Sequence, residues 1–270
     1  MRDAGKNGFL DEDAGVVILR TAEGQAPELY CTFDAGPLGY LAIAAHGHAD
    51  ALAIELRVGG HPILVDPGTY TYAATSSWRD YFRSTAAHNT IELGGRPQSV
   101  SGGPFLWTRH ASAKLIAAQG VRERDHRRAM AVGEQYGYRA EKFRGLHRRT
   151  VTLDREQASL EIVDELTVSR LTPMRCLFHL HPGVTCDLVG TRALLRWFDN
   201  GSESVMVMEL PADLAWTLYR ASEAPRLGWY SSSYDVILPT VSLAGTGTFS
   251  DVRSLRTRLF LPSVDGVNAY

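Results

Sequence analysis

Cysteine is scarce in this sequence of 270 residues, and its three copies form no CxxC pair. Neither a disulfide framework nor a zinc ribbon is therefore predicted. No apolar run approaches the roughly 18 residues of a membrane span, and the first residues lack the apolar core of a signal peptide. The formal net charge is only −2, which gives no reason to expect nucleic acid or an anionic membrane as a partner.

Short strand-like segments, bounded by Gly, Pro and Asp, dominate what the sequence does contain. Apolar and polar residues alternate cleanly at 150–153, 160–166 and 204–210, as expected of strands that bury one face. No internal repeat or low-complexity linker interrupts the pattern. The sequence therefore predicts an all-β fold, a large antiparallel β-sandwich of many strands that forms a single domain over residues 1–270.

Three further predictions concern the first third of the chain. Residues 40–44 are predicted to form a strand. Residues 51–58 are also predicted as a strand, followed by a hairpin turn at Gly59-Gly60, although their Ala and Glu content also suits a helix. The one helical turn is predicted within residues 78–84.

The most informative segment is His46-Gly47-His48-Ala49-Asp50. Side chains two residues apart point to the same face of an extended strand, so two imidazoles and a carboxylate are expected on one face. Asp66 and His88 stand at the edges of neighbouring apolar runs, where the fold can add them to the cluster. Such a set supplies the N and O ligands that zinc accepts. Asp50 is expected to orient a histidine rather than to bind the ion.

Each member of this cluster also has a plainer explanation. His46 taken alone would be a strand histidine hydrogen-bonded in the core. Asp66 precedes Pro67-Gly68, and Asp-Pro-Gly is a strong turn signal. His88 could cap a strand. The joint occurrence of these residues, rather than any one of them, favours a metal or acid–base site.

The segment between Asp66 and His88 has no strand periodicity, and long loops of this kind are often binding loops or lids. It carries aromatic and guanidinium side chains that suit a sugar acid, because rings stack on pyranoses and arginine grips carboxylates in a bidentate fork. The alternative is that the rings simply pin the loop to the sheet. The side chains concerned are Tyr70, Tyr72, Trp78, Arg79, Tyr81 and Arg83.

These motifs together resemble the heparinase II/III-like polysaccharide lyases. The resemblance rests on the order HxHxD (46–50), HPILVDPGTY (61–70), WRDYFRST (78–85) and HNT (88–90), and is densest over 40–98. It implies a β-sandwich that follows an (α/α)-toroid, with the active cleft between the two. It further implies eliminative cleavage of a uronate-containing acidic polysaccharide, such as a glycosaminoglycan or alginate.

The resemblance also implies roles for individual residues. His48, Asp66 and His88 would be zinc ligands, and His46 would face the cleft and assist catalysis at the uronate carboxylate. The family's catalytic tyrosine comes chiefly from the toroid. Whether Tyr70, Tyr72 or Tyr81 replaces it here is open from the sequence, and Tyr70 and Tyr81 are named as the catalytic candidates. The remaining site residues would bind substrate, namely Trp78, Arg79, Arg83 and Asn89.

The toroid itself is not recognisable in these 270 residues, so the sequence is expected to be the C-terminal part of a lyase, with the toroid domain as its partner. The parent family works in the periplasm or outside the cell. Because the chain shows no signal peptide, a cytoplasmic location is the other expectation.

Two other functions fit parts of the sequence. One is a noncatalytic carbohydrate-binding or scaffolding sandwich. The other is an Fe(II)/2-oxoacid oxygenase jelly roll, with His48-Ala49-Asp50 as HxD, His181 as the distal ligand and Arg192 as the oxoacid clamp. That alternative leaves Asp66 and the HNT segment unexplained. His179 is predicted to make structural hydrogen bonds, and His147 is predicted to lie on a sheet or the surface without a convergent partner.

Overall fold

The computed structural model describes residues 8–21, 27–40, 43–72, 77–123, 126–199 and 201–261. Nearly all regular structure in these ranges is β, and every strand pair is antiparallel. The exceptions are a short helix, α1 (Ser77–Phe82), and a 3₁₀ turn at Thr85–Ala87. The predicted all-β sandwich is therefore confirmed, and so is the helical turn near residue 78.

The smaller sheet contains five strands in the order of the chain. Its central strands alternate buried and half-exposed residues, because only one face packs on the core. Gly59 and Gly60 form the predicted hairpin turn between the last two strands, both with positive φ. The five strands are β1 (Phe9–Asp11), β2 (Val16–Arg20), β3 (Leu29–Asp34), β4 (Ile54–Val58) and β5 (His61–Leu64).

The larger sheet contains ten strands and is organised around two long ones that pair along most of their length. Its strands are β6 (Ile91–Leu93), β9 (Ala113–Gln119), β10 (Arg128–Gln135), β11 (Leu146–Asp154), β12 (Ser159–His179), β13 (Thr185–Val189), β14 (Arg192–Asp199), β15 (Ser202–Glu209), β16 (Ala215–Arg220) and β21 (Val241–Phe260). Three two-stranded hairpins complete the fold: β7 (Val100–Gly103) with β8 (Leu106–Arg109), β17 (Ser222–Glu223) with β18 (Arg226–Leu227), and β19 (Trp229–Ser233) with β20 (Val236–Pro239).

The two large sheets share one apolar core. Phe33 and Leu56 of the smaller sheet belong to the same buried cluster as Val151, Ile162 and Phe178 of the larger one. Burial of this apolar surface is the main stabilising contribution to the sandwich. The loops that leave the small sheet cross toward β12, and this places the motif residues at one edge of the core.

The prediction of a strand at 40–44 is wrong for the residues that the structure describes there; residues 41 and 42 lie outside the described ranges. Residues 38–40 are bends, and Ala44 has a φ of 43°, in the left-handed region that a strand does not use. The segment that follows is also a loop, so His46, His48 and Asp50 do not share a strand face. The predicted strand at 51–58 begins only at Ile54.

A buried ionic network joins the neighbouring strands β11 and β12 to this loop region. Asp164 on β12 accepts hydrogen bonds from His147 Nε2 at 2.6 Å and from Arg149 Nε at 2.7 Å. All three side chains are essentially inaccessible to solvent. Arg149 Nη1 also donates to the carbonyl oxygens of Leu52 and Asn89, at 2.8 and 2.6 Å. His147 therefore lies on a sheet as predicted, but the prediction that it lacks a convergent partner is wrong.

This network predicts a loss of stability in acid. Burial lowers the pKa of His147, so its neutral form contributes stability that is present above its ordinary pKa of 6.5 and is lost as the pH falls below that value. Burial alone would raise the pKa of Asp164, but Arg149 and His147 hold it well below 3.8, so its contribution is lost at still lower pH. We expect the free energy of unfolding to fall with acidification below pH 6.5 more steeply in the parent than in His147→Gln, measured by urea titration. Equal slopes would show that His147 does not titrate in this way.

Candidate metal centre and cleft

Three loops bring the predicted metal ligands together. His48 lies in the loop before β4, Asp66 follows β5, and His88 follows the 3₁₀ turn. His48 Nδ1 lies 3.1 Å from His88 Nε2, and Asp66 Oδ2 lies 3.0 Å from His88 Nε2 and 3.7 Å from His48 Nδ1. Residues 40 positions apart in sequence thus converge on a single point, as the joint pattern predicted.

The hydrogen bonding of His88 indicates that a cation belongs at that point. His88 Nδ1 lies 2.7 Å from the carbonyl oxygen of Ser84, which can only accept, so Nδ1 carries a proton. A neutral His88 therefore turns the lone pair of Nε2 toward a carboxylate oxygen of Asp66, which is also an acceptor. Only a proton or a metal ion between His88 Nε2 and the Asp66 oxygen removes the repulsion between these two acceptors. A carbonyl that holds the second ring nitrogen is the usual support of a metal-binding histidine.

The spacing of the donor atoms suits zinc. Two atoms bound to one tetrahedral ion, each at about 2.0–2.1 Å, lie roughly 3.3 Å apart, close to the observed distances. Asp50 offers a fourth donor atom, and the donor atoms of His48, Asp50, Asp66 and His88 all lie within 4.8 Å of one another. Asp50 was expected only to orient a histidine, whereas its position also suits direct ligation. The residues thus fit the ion that the motif implies.

The electrostatics of the cluster follow from its burial. Burial alone would lower the pKa of His88, but the hydrogen bond and charge of Asp66 raise it to about 9. Burial would raise the pKa of Asp66, but its hydrogen bonds to His48 and His88 hold it well below its usual range. Burial raises the pKa of Asp50 to about 7. The cluster is therefore built to hold positive charge between its carboxylates and imidazoles.

Side chains from the following segment fix the irregular loop that carries His48 and Asp50. Thr85 Oγ1 donates to the carbonyl of Ala49 at 2.7 Å, and Thr90 Oγ1 and Gln98 Nε2 donate to that of Ala51 at 2.9 and 3.0 Å. Buried backbone oxygens need such partners when no strand neighbour supplies them. A loop held at this many points can present ligands as precisely as a strand.

Asn89 has a structural role instead of the predicted role in substrate binding. It is buried, and its amide nitrogen donates to the carbonyls of Ile54 and Val65 at 2.8 and 3.0 Å. Its amide oxygen accepts from the backbone N–H of His179 at 2.6 Å. With its polar atoms engaged by backbone, Asn89 fixes the chain beside His88 and leaves nothing for a sugar to contact.

Asp66 is also the turn residue that its sequence suggests, so the two explanations hold together. Its Oδ1 accepts from the backbone N–H of Gly68 at 2.7 Å, while Oδ2 faces the histidines. Gly68 has a φ of 85°, and a Cβ at this position would clash with the carbonyl oxygen of Ser231. The turn therefore requires glycine, and it aims the carboxylate of Asp66 into the cluster.

His46 points away from the metal cluster and is exposed. Its Nδ1 lies 3.3 Å from the hydroxyl oxygen of Tyr72, and its ring meets that of Tyr72 edge to face at 5.4 Å. Of the three loop tyrosines considered, the one in contact with His46 is therefore Tyr72, and not Tyr70 or Tyr81. Sequence alone offered Tyr72 only as one of several loop tyrosines, because nothing in the spacing relates it to His46.

Tyr70, Trp78 and Tyr81 lie together in an aromatic cluster with Phe82 and Trp229. Tyr81 is 7% exposed, and burial raises the pKa of its hydroxyl. This placement does not fit the predicted catalytic role of Tyr81, since a base must be reachable and easily ionised. The rings of Tyr70 and Trp78 pack 6.4 Å apart. The cluster fits the plainer alternative, in which these rings pin the loop to the sheet.

Arg79 and Arg83 are buried beneath the loop surface. Arg83 Nη1 donates to the carbonyls of Gly103 and Pro104, both at 2.8 Å, and the Arg79 guanidinium lies 3.4 Å from the carbonyl oxygens of Ala45 and Pro104. Neither guanidinium reaches the surface, so the predicted direct grip on a substrate carboxylate does not fit this structure. Both arginines instead hold the β7–β8 hairpin against the loop that carries His46.

The residues invoked for an iron site do not converge. The cluster of donor atoms found among the described residues combines His48 and Asp50 with Asp66 and His88, and it does not include His181. His181 packs its ring against Tyr230 instead. His179 is fully buried with Nδ1 2.8 Å from Ser242 Oγ, consistent with its predicted structural role. Among the described residues, no helix is long and apolar enough to cross a membrane.

Solved structures with the same fold include a heparinase III and a heparan sulfate lyase. The heparinase III product of the BT4657 gene has a TM-score of 0.73 and 18% identity, covering 98% of this chain and 37% of that one. The heparan sulfate lyase HepC from Pedobacter heparinus has a TM-score of 0.73 and 14% identity, covering 95% of this chain and 36% of that one. This chain therefore spans less than two fifths of the length of these proteins. At such identities the likeness shows the fold.

No curated protein matches the sequence significantly. The family model described as heparinase II/III-like, C-terminal, matches residues 4–254, which includes every residue of the candidate metal centre and nearly the whole sandwich. The chain thus belongs to the heparinase II/III-like C-terminal family.

Proposed function

We propose that this chain is the zinc-binding β-sandwich part of a polysaccharide lyase that cleaves a uronate-containing acidic polysaccharide by β-elimination. The observation that carries the proposal is the convergence of His48, Asp66 and His88 beside an exposed His46 that is paired with Tyr72. Family membership supplies the reaction class. A glycosaminoglycan and alginate are both substrates of the required chemistry.

The eliminative reaction explains what His46 and Tyr72 would do. Removal of the C5 proton of a uronate, α to its carboxylate, builds negative charge on the acid group, which donors aimed at that group must stabilise. The exposed imidazole of His46 is placed to donate to the carboxylate. A base must take the C5 proton and an acid must protonate the departing 4-oxygen. Among the described tyrosines, Tyr72 is the one whose hydroxyl oxygen lies 3.3 Å from His46 Nδ1. Its hydroxyl would exchange a proton with a substrate bound beside His46.

His48, Asp66 and His88 would hold the zinc, with Asp50 near enough to join them. When bound, the ion would supply fixed positive charge and would cross-link three loops. Other residues of the chain position these ligands. Ser84 orients His88, and Thr85 and Gln98 hold the loop that precedes β4. His46, in the same loop, would gain its position from that support.

The proposal includes a second domain and a location. The solved relatives are more than twice as long as this chain, and the resemblance implies a helical toroid as the partner domain that faces the cleft. We propose that the toroid contributes the remaining acid–base groups. A periplasmic or extracellular site of action suits a polysaccharide substrate.

The test is the release of unsaturated uronate products, followed by ultraviolet absorbance, from glycosaminoglycans and alginate by the full natural protein. His46→Gln is expected to retain bound metal but to lose at least about a hundredfold in turnover, the scale of a positioned proton-transfer group. His110→Gln, at an exposed position on another loop, is the matched control and should match the parent. Parent-like kinetics in His46→Gln would remove its catalytic role. A full-length protein that binds but never cleaves these polymers would favour the noncatalytic carbohydrate-binding alternative.

A further inference from the structure

Three aromatic rings form a strip beside His46, in which the two outer rings are exposed and the middle ring, that of Tyr72, is half-buried. Phe105 and Tyr72 lie with ring centroids 5.7 Å apart and planes within 14° of parallel, and Tyr72 and Tyr234 lie 6.4 Å apart and within 24°. Phe105 is 45% exposed and Tyr234 is 60% exposed. The His46 ring also meets Phe105, at 6.5 Å. Soluble domains seldom leave neighbouring rings open to water unless the surface binds something.

The rings come from three separate segments that the fold ties together. Phe105 lies in the turn of the β7–β8 hairpin, Tyr72 follows β5 in the loop of Asp66, and Tyr234 lies in the turn of the β19–β20 hairpin. The backbone N–H of Asp235 donates to the carbonyl of Tyr70 at 2.8 Å, which fixes the second hairpin to the Tyr72 segment. The strip is therefore assembled by tertiary contacts.

The first hairpin is held by two buried cations. Arg79 and Arg83 donate to the carbonyl of Pro104, next to Phe105, and the Arg79 guanidinium lies 4.9 Å from the centre of the Tyr72 ring. Among the described residues, Arg79 Nη1 and both Nε and Nη2 of Arg83 have no hydrogen-bond partner although they are buried. Buried N–H groups without partners reduce stability. The two guanidinium groups nevertheless fix the hairpin turn that carries Phe105 beside Tyr72.

We infer that Phe105, Tyr72 and Tyr234 form an aromatic platform that binds the chain of an acidic polysaccharide and leads to His46. This inference rests on the proposed function for the identity of the ligand. Because the three nearly parallel rings stack on one another, the two exposed outer rings, Phe105 and Tyr234, present the accessible aromatic surface. Aromatic rings offer large, rigid contact area with a flat apolar face, which matches the C–H face of a pyranose.

The surroundings favour a sugar chain over a protein partner. The strip is bordered by the polar groups of His46 and the Tyr72 hydroxyl, which suit sugar hydroxyls and carboxylates. The positive charge of Arg79 behind Tyr72 favours an anionic ligand. The strip is also continuous with the proposed catalytic residue, so a chain lying on it would pass His46.

The experiment measures the dissociation constants of size-defined heparan sulfate and alginate oligosaccharides for this chain by calorimetry. Phe105→Ala and Tyr234→Ala are each expected to raise the dissociation constant of the preferred oligosaccharide by roughly tenfold, the loss of one aromatic contact. Tyr234→Phe, which keeps the ring, should bind like the parent. Phe198→Ala, at a 70% exposed phenylalanine on β14, is the matched control and should leave affinity unchanged.

Parent-like affinity in Phe105→Ala and Tyr234→Ala would overturn the platform, and so would a parent chain that binds neither oligosaccharide. Metal content and melting temperature of the variants should equal those of the parent, which separates lost contact from lost folding. If the proposed function were wrong but the platform correct, oligosaccharides would still bind through the strip, but the full natural protein would release no unsaturated product.

Discussion

Replacing His48 with alanine is expected to abolish stoichiometric zinc binding. The remaining donors are a histidine and one or two carboxylates, and even loss of a supporting partner outside the ligand set costs about 10–100-fold in metal affinity. The effect of removing a ligand should be larger. The loop between Asp66 and His88 should also become more open to proteolysis, because the ion no longer links its two ends to the loop of His48. Elemental analysis of the dialysed chain and limited proteolysis measure the two effects.

His110→Ala serves as the control for this experiment, since it also removes an imidazole but lies exposed and outside the cluster. It should keep the metal content and the protease resistance of the parent. If His48→Ala kept both as well, His48 would not be a ligand. A zinc content that fell in Asp66→Ala but not in His48→Ala would instead assign the site to Asp66, His88 and Asp50.

Replacing Asp164 with alanine is expected to produce the largest loss of stability of any single substitution considered for this chain. Asp164 is the shared acceptor of His147 and Arg149, and all three are buried. Its removal leaves the guanidinium charge of Arg149 buried without a counter-ion, which costs about 3–5 kcal/mol. Since whole domains are stable by only about 5–15 kcal/mol, the variant should unfold at a much lower urea concentration.

Glu161→Ala is the matched control, because Glu161 lies on the same strand but faces solvent, where it pairs with Arg256 at 3.7 Å. An exposed ion pair of this kind contributes about 0–1 kcal/mol, so Glu161→Ala should unfold close to the parent. Equal midpoints for the Asp164 and Glu161 variants in urea would contradict the account of the network. Arg149 also donates to the carbonyls of Leu52 and Asn89, so Asp164→Ala should weaken zinc binding as well.

The convergence of His48, Asp66 and His88 could be predicted from sequence because several weak signals coincide there. His48, Asp66 and His88 each have an ordinary explanation, but their order within one set of motifs does not. The physical argument for their convergence was only partly right, since it placed residues 46–50 on a strand with one shared face. The chain forms a loop there instead, and its side chains diverge: His48 faces His88, and His46 faces Tyr72.

The strands with clean alternation were also predictable, since a half-buried sheet imposes period two on the sequence. The strands β11 and β12 contain the alternating segments 150–153 and 160–166. Strand β15 contains the third segment except Leu210, but Met206, Val207 and Met208 are all buried there, so both faces of that part of the strand are covered. The strand predicted at 40–44 is wrong at the described positions, because the apolar content of this segment is that of a strand and gives no sign of the positive φ at Ala44.

The remaining errors concern partners that tertiary structure alone selects. The distance between His147 and Asp164 depends on the register of β11 against β12, and that register is set by the sheet as a whole. Arg79 and Arg83 were expected to bind a ligand because arginine usually does so at a surface, whereas both are buried on carbonyls. Phe105 and Tyr234 belong to no motif and meet only through two hairpins.

X-ray diffraction at the zinc absorption edge, from crystals of the chain purified with zinc, would locate the bound ion. We expect an anomalous peak enclosed by His48 Nδ1, His88 Nε2 and Asp66 Oδ2, with the second ring nitrogen of His88 still on the carbonyl of Ser84. If these crystals showed no anomalous peak at that point, His48, Asp66 and His88 would not form a zinc site.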